Sequence, residues 1–559
     1  MKYLSFESDY CKDCYACLRK CPVKSIRFVQ NKATIVEENC VLCGHCVNVC
    51  PQNAKHVVSD IENVEKLLLE HPGHVALSVA PSFISNFDVK HFASFAKACK
   101  KLGFSIVEET AVGAYYVTKE YQKLLQSGKY PALIASACPA SVNFIRMYYP
   151  QALPYLAPVV SPMIAHGRIL KKQYGEELKI VFVGPCIAKK KEAVESKELE
   201  CALTFEEIQQ MFDKHHITFE DVSEESLHQN SARFYPISRG IIKSFDGKMQ
   251  KDYDSISVDG VHEMRDTLEN IEELDHIFIE MNMCRGGCIN GPAKTSSRAQ
   301  MKDHVMVRNY VKQAIGTPIP ELSTPIDFSF EYTPLTRTIQ IPTEEQIQEI
   351  LHHISKYKKE DEINCGACGY HTCREKAIAV FNGLADPDFC LPYLKDKAES
   401  ISNEIIQHTP NGIITINHEG ILIDANERAF RYLQIDSSAI GHFYQEFISL
   451  PELLEAMEKE ESVPSIIVYN DLTNQYFDVS ITVVKEHGVA FAIYKDVTQE
   501  VLNEEKMRAL RKEMVEVTDQ VINKQMAAVQ EIASLLGEST AEAKIALINF
   551  KNSLKDKEE

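Results

Sequence analysis

Eighteen cysteines among 559 residues carry most of the chemistry this chain could do, and they are grouped. Eight lie within the first fifty residues, four are Cys138, Cys186, Cys284 and Cys288, and four lie from Cys365 to Cys390. Cys99 and Cys201 stand apart and read as ordinary thiols. Thiolates are soft anionic ligands, and cysteine-dense chains of reducing compartments usually hold metal rather than disulfides. Grouping of this kind points to iron–sulfur ligation. In Glu280-Met281-Asn282-Met283-Cys284-Arg285-Gly286-Gly287-Cys288 two thiols stand four residues apart. The glycine pair lets the backbone pass close to a cluster with no Cβ in the way.

The N-terminal group is a duplication. Cys11, Cys14, Cys17 and Cys21, followed by Pro22, recur as Cys40, Cys43, Cys46 and Cys50, followed by Pro51. This spacing resembles the bacterial two-cluster ferredoxins. It implies two [4Fe–4S] clusters within residues 1–60. Cys11, Cys14, Cys17 and Cys50 would hold one, and Cys40, Cys43, Cys46 and Cys21 the other. A zinc ribbon is the alternative. Cys365, Cys368, Cys373 and Cys390, within residues 343–396, resemble the small helical [4Fe–4S] domain of corrinoid iron–sulfur proteins and membrane electron-transfer complexes. A four-cysteine zinc site is the alternative there.

The middle cysteines need long-range positioning. From about residue 73 the pattern alternates between strands and helices. Buried strands are expected at 74–82, where the strand runs into a turn, and at 131–136, 179–184 and 276–280, with a helix at 92–102 and a strand-like stretch at 105–107. Three of these strands run into Cys138, Cys186 and Cys284, at the C-terminal ends where α/β proteins place ligands. Ser136-Ala137-Cys138-Pro139, Pro185-Cys186-Ile187-Ala188-Lys189 and the stretch from Glu280 to Cys288 resemble, in order, the three signature motifs of the [FeFe]-hydrogenase catalytic domain. The resemblance covers residues 73–330 and implies a two-lobed α/β domain.

It further implies that Cys138, Cys186, Cys284 and Cys288 hold an H-cluster, a [4Fe–4S] cubane bridged to a di-iron unit with CO, cyanide and dithiolate ligands. Cys288 matches the bridging thiolate. Lys189 matches the lysine that bonds one cyanide, and Pro81 and Ser82 the segment at the other. Several positions depart from the family. The proton-relaying cysteine is Ala137, and further relay positions fall on Tyr121, Leu124 and Ala157. Two methionines at the di-iron unit appear as Gly184 and Asn282. Ser141 replaces a tryptophan, and the third motif ends in Gly291-Pro292.

After a polar linker at about 317–342, a helix is expected over Thr343–Leu351. Residues 397–498 lack cysteine and resemble a PAS domain, with a hairpin over 411–426, a helix from Asn426, and strands at 476–481 and 488–494. His408, His418, His442 and His487 are expected to face solvent. In the tail, 499–559, Met507, Leu510, Met514, Val517 and Val521 form a coiled-coil seam. Gly537 is expected to end that helix, and Ser539 with Glu542 to cap a last one.

The whole chain is therefore expected to be multidomain α/β and α+β. Net charge of −19 argues against nucleic-acid or anionic-membrane binding. No secretory leader or spanning segment is evident, so a cytoplasmic location is expected. The module order resembles the sensory [FeFe]-hydrogenases. It implies a sensor that binds and slowly oxidises H2 and passes electrons through three [4Fe–4S] clusters to a PAS-helix output. Its partners would be ferredoxin or another carrier, a signalling or hydrogenase protein, and a second copy through the tail. Two rivals remain open: a low-activity catalytic [FeFe]-hydrogenase exchanging electrons with ferredoxin, and a redox-relay scaffold without di-iron.

Overall fold

A computed structural model describes residues 3–29, 32–222, 230–245, 247, 249, 252–312, 319, 321–322, 324–336, 339–536 and 541–555. The chain divides into two units, 1–394 and 395–559.

The first unit is built on two parallel sheets. One has the order Ile106–Glu109, Val75–Val79, Lys179–Gly184, Cys201–Thr204. The other has the order Asp254–Asp259, Ile277–Asn282, Ala132–Ile134. Val75–Val79 is buried at every position, the signature of a strand covered on both faces. The helices Ala111–Gln126 and Pro162–Tyr174 touch backbone to backbone at Gly113. A Cβ there would fall 2.3 Å from the Pro162 carbonyl oxygen and 2.7 Å from the His166 nitrogen.

The N-terminal part has two antiparallel ribbons, Leu4–Phe6 with Lys55–Val57 and Ile26–Val29 with Lys32–Ile35. Its two cysteine loops differ at one equivalent position. Gly44, at φ 74°, lies so close to Pro292 that a Cβ would come within 2.3 Å of it. Tyr15, at φ 56°, instead stacks its ring on Phe28 at 3.9 Å and on Phe389 at 3.7 Å. The loop at Gly44 is thus pressed against the parallel-sheet region, and the loop at Tyr15 against the third cysteine group.

Lys190 is 1% exposed. Its ammonium lies 2.8 Å from both Asp60 and Glu207, and the Asp60 N–H donates to Glu207. This buried triad fixes the start of the helix Ile61–Glu70 to the four-stranded sheet.

The polar linker expectation fails where the segment is described. Residues 327–335 form a strap. Val160 N–H donates to the Phe328 carbonyl, Tyr332 Oη to the Val159 carbonyl, Arg146 Nε to the Thr333 carbonyl, and Leu335 N–H to the Arg146 carbonyl. Polar sequence here meets buried backbone partners, and Phe328 inserts into the core. Beyond it, Thr343 and Gln346 cap the helix Glu344–His353 reciprocally.

The second unit has a five-stranded antiparallel sheet ordered Leu422–Ala425, Gly412–Asn417, Val489–Asp496, Gln475–Val484, Val463–Asn470. Gly412–Asn417 alternates buried and half-buried residues, as a strand with one core face must. Asn426 caps the helix Glu427–Leu433 at Ala429 N–H, and its amide donates to the Ile406 and Asn411 carbonyls. His408, His418, His442 and His487 are exposed.

A 39-residue helix, Thr498–Leu536, follows. Met507, Leu510, Met514, Val517 and Val521 are 49–65% exposed, so their seam is not packed on the unit's own sheet. A last helix, Ala541–Lys555, has Lys551 within 2.9 Å of Asp519. Gly537 and Ser539 lie outside the described residues, and with them the expected cap of that helix. Among the described residues no helix is long and apolar enough to cross a membrane.

Candidate metal centre between two parallel sheets

Three strand ends deliver the middle cysteines to one place. Cys138 follows Ala132–Ile134 and stands at the N-cap of the helix Pro139–Tyr148. Cys186 follows Lys179–Gly184, and Cys284 follows Ile277–Asn282. Gly287, at φ 88°, turns the chain so that Cys288 faces the same way. A Cβ there would meet the Pro236 carbonyl oxygen at 2.5 Å. All four cysteines line one cavity of about 910 Å³ counted to its mouth, together with Pro81, Ser82, Ala137 and Lys189.

Burial governs the electrostatics of this cavity. Burial first, and then the neighbouring Cys138, push the Cys186 thiol up to about 11. Burial and the other three thiols raise Cys284 further, and burial with Cys138 and Cys186 raises Cys288. No pair is joined as a disulfide. Buried thiols raised in this way ionise when a positive centre is bound beside them. Ser82 adds a fully buried Oγ with no hydrogen-bond partner. The donor set therefore fits a thiolate-bound metal cluster with polar ligands.

Lys189 is not a surface lysine: it is 8% exposed. It donates to Ser161 Oγ at 2.9 Å and Glu192 Oε2 at 2.6 Å, which leaves a third proton of the ammonium.

The missing methionines have substitutes that sequence alignment alone does not find. A Cβ on Gly184 would fall 2.8 Å from the Phe182 ring, so that ring occupies the space a side chain at 184 would need. Phe182, Met163 and Met283 all line the cavity. Asn282 also lines it, and its amide donates to Asp259 at 3.1 Å and Glu280 at 3.2 Å.

The expected relay line is broken. Ala137 forms part of the cavity wall. Tyr121 Oη is 3.1 Å from Ser136 Oγ, and that hydroxyl donates to the Val159 carbonyl at 2.6 Å, which also accepts from Tyr332 Oη at 3.0 Å. Leu124 and Ala157 add no polar atom.

Glu280 is fully buried, and burial is the main cause that raises its carboxyl to about 7, opposed by the Ile242 N–H that it accepts. A raised acid stabilises the fold below the unfolded value of 4.5 and loses that contribution as pH rises through about 7. At about 1.4 kcal/mol per unit the loss approaches ~3 kcal/mol. Denaturant unfolding of the cluster-free chain should show this decline between those limits, and Glu280→Gln should flatten it. An unchanged slope would refute the assignment.

The other cysteines form further groups. Cys17 feels the charge of Cys14 and Cys50, and Cys43 that of Cys21, Cys40 and Cys46. Cys43 also lines the central cavity and reaches Cys284 electrostatically. Cys365, Cys368, Cys373 and Cys390 line a separate cavity of about 370 Å³. In sequence this group precedes the second unit, but in space it sits on the ferredoxin-like part. Lys24 feels both Cys21 and Cys368, and Gly369 packs on Leu18. Among the described residues no three histidine, cysteine or acidic side chains converge on a point where a single ion would sit.

Comparison with known proteins gives the following likenesses. Residues 73–292 match the family described as iron only hydrogenase large subunit, C-terminal domain. Residues 3–51 match the 4Fe-4S dicluster domain, and 361–392 a putative Fe-S cluster domain. The chain is an [FeFe]-hydrogenase-like iron–sulfur protein. This hydrogenase-like chain is 25% identical over 440 residues to iron hydrogenase 1 of Clostridium pasteurianum, covering 58% of itself and 76% of that protein. It is 22% identical over 381 residues to the nuclear prelamin A recognition factor of Xenopus laevis, covering 54% of itself and 84% of that protein. A variant [FeFe]-hydrogenase of Chlamydomonas reinhardtii aligns with 50% of this chain and 100% of its own, at 14% identity and a TM-score of 0.37. One relative is named a hydrogenase and another a recognition factor, so likeness alone does not separate turnover from recognition.

Proposed function

We propose that this hydrogenase-like protein is an H2 or redox sensor. Cys138, Cys186, Cys284 and Cys288 would hold an H-cluster, with Cys288 as the bridge, and Lys189, Pro81 and Ser82 would bind its diatomic ligands. When bound, that group supplies H2 binding and cleavage. The chain's own residues do the rest. Lys189 offers a fixed ammonium to an anionic ligand, the orphan Ser82 hydroxyl offers a donor, and Phe182, Met163 and Met283 exclude water. One observation carries the reading. The four thiols and Lys189 stand around the cavity, while Ala137 in its wall offers no group that could relay a proton.

Three [4Fe–4S] clusters would serve as electron stations, held by Cys11, Cys14, Cys17 and Cys50, by Cys40, Cys43, Cys46 and Cys21, and by Cys365, Cys368, Cys373 and Cys390. The proximity of Cys43 to the central cavity, and of Lys24 to both Cys21 and Cys368, supports a branched line of stations. Ferredoxin or another carrier would exchange electrons with it. The antiparallel sheet of the second unit supports a PAS-type output acting through the long helix on a signalling or hydrogenase partner.

Steady-state turnover of the cluster-loaded protein with an artificial acceptor tests the reading. A sensor should fall below the ~1–10³ s⁻¹ usual for enzymes. Rates within that range would favour the catalytic alternative. The exposed seam supports dimerisation through the tail. Leu510→Asp with Met514→Asp should shift the protein from dimer to monomer in sedimentation, and an unchanged mass would rule that interface out.

A further inference from the structure

The central cavity has a second polar exit, made of residues that carry no role so far. Thr110 lines the cavity and is 5% exposed. Its Oγ1 lies 2.7 Å from Ser78 Oγ, and Ser78 Oγ lies 2.8 Å from His166 Nδ1. Ser78 and His166 are fully buried. The other ring nitrogen of His166, Nε2, has no hydrogen-bond partner and faces Glu108 Oε2 at 3.5 Å. Glu108 accepts from Tyr174 Oη at 2.7 Å, and its side chain is 27% exposed.

These groups are costly where they stand. Ser78 interrupts a fully buried apolar strand, and His166 lies between Ala165 and Gly167 on a buried helix face. A core that needed only packing would use apolar residues at both places, because buried polar groups must be paired and Nε2 has only the long contact to Glu108. The ordinary explanation, a self-satisfied polar core cluster, accounts for the two hydroxyl contacts but not for a ring nitrogen directed at a partly exposed carboxylate. Burial alone would raise that carboxyl, yet His166 and Tyr174 together hold it below its usual value, so it is ionised and can release a proton it receives to water.

We propose that Thr110, Ser78, His166 and Glu108 conduct protons between the cavity and solvent in place of the relay lost at Ala137. The inference rests on the H-cluster reading above. Each hop moves one proton and no electron. Thr110 takes a proton from the cavity and passes its own to Ser78, which passes its own to His166 Nδ1. The resulting imidazolium releases its Nε2 proton to the Glu108 carboxylate across the 3.5 Å gap, and Glu108 exchanges it with water. The ring must then restore its tautomer, and the gap must close for each transfer. Both features suit slow turnover.

Thr110→Val and Glu108→Gln test this, being nearly isosteric, with Thr110→Ser as the rescuing control. In the cluster-loaded protein, Thr110→Val and Glu108→Gln should each slow H2 oxidation about tenfold or more, and Thr110→Ser should stay within about twofold. The infrared bands of iron-bound CO and cyanide should be unchanged in all three. A second readout is independent of rate. The infrared difference between H2-treated and oxidised protein should contain a carboxyl band that disappears in Glu108→Gln. Parent-like rates in Thr110→Val and Glu108→Gln, or a carboxyl band that survives Glu108→Gln, would overturn the path while leaving the H-cluster reading intact. A parent protein without CO and cyanide bands would overturn both. Should Thr110→Val fail to fold, Glu108→Gln at the solvent end decides alone.

Discussion

Replacing Cys288 with alanine should abolish H2 turnover, by more than about a thousandfold or ~4 kcal/mol of barrier, while the other clusters survive. The thiol sits in a cavity with Cys138, Cys186 and Cys284 and is assigned the bridge. Three thiols can still retain part of a cubane, but the one other thiol lining the cavity, Cys43, belongs to an N-terminal cysteine group. Ser82 and Lys189 offer protons, not lone pairs of comparable softness. The N-terminal cysteines do not include Cys288 in either group, so paramagnetic resonance of the reduced clusters there should persist. Infrared bands of iron-bound CO and cyanide should vanish. Retained bands and turnover would show that another residue is the bridge.

Ala137→Cys should act in the opposite direction and raise H2 turnover roughly ten- to a hundredfold, the lower part of what positioned acid–base groups usually contribute. Ala137 is in the cavity wall, next to Cys138, so a thiol there reaches the place where protons enter and leave. The gain should stop short of the full range because the outward neighbours were not restored. The Ser136 hydroxyl is committed to the Val159 carbonyl, and Leu124 is apolar. An unchanged rate, measured with CO and cyanide bands intact, would show that proton delivery at Ala137 does not limit turnover and would remove the main argument for a sensor.

The parts of the site legible in the sequence were those written as residue type and local spacing. The strands ending at Cys138, Cys186 and Cys284 announced themselves by apolar runs, and the structure joins two of them in one parallel sheet and places the third in the other. The duplicated cysteine spacing and the capped helix at Thr343 were equally local. What stayed hidden depends on tertiary neighbours. Gly184 read as a loss, because only the fold shows Phe182 turned into that space. Lys189 and Lys190 stand in a run of three lysines, which sequence does not mark as buried, and burial of both needs partners at Ser161, Glu192, Asp60 and Glu207. The strap at 327–335 was polar enough to pass as a linker, since its anchoring is through backbone carbonyls that sequence does not distinguish. The edge strand Val463–Asn470 carries Pro464 and a half-exposed pattern, which masked it.

The same distinction explains the cavity. Its cysteines are unmistakable in sequence, while the features proposed to govern proton movement are relations between residues, with Thr110, Ser78, His166 and Glu108 aligned across two strands and a helix.

The central claim is that this cavity holds a di-iron unit with diatomic ligands. Infrared spectroscopy of protein prepared anaerobically with the cluster-maturation machinery tests it most directly. The account predicts bands of iron-bound CO and cyanide that shift when H2 is admitted. A spectrum with no such bands, from protein whose [4Fe–4S] clusters are intact, would contradict it and leave an iron–sulfur relay scaffold in its place.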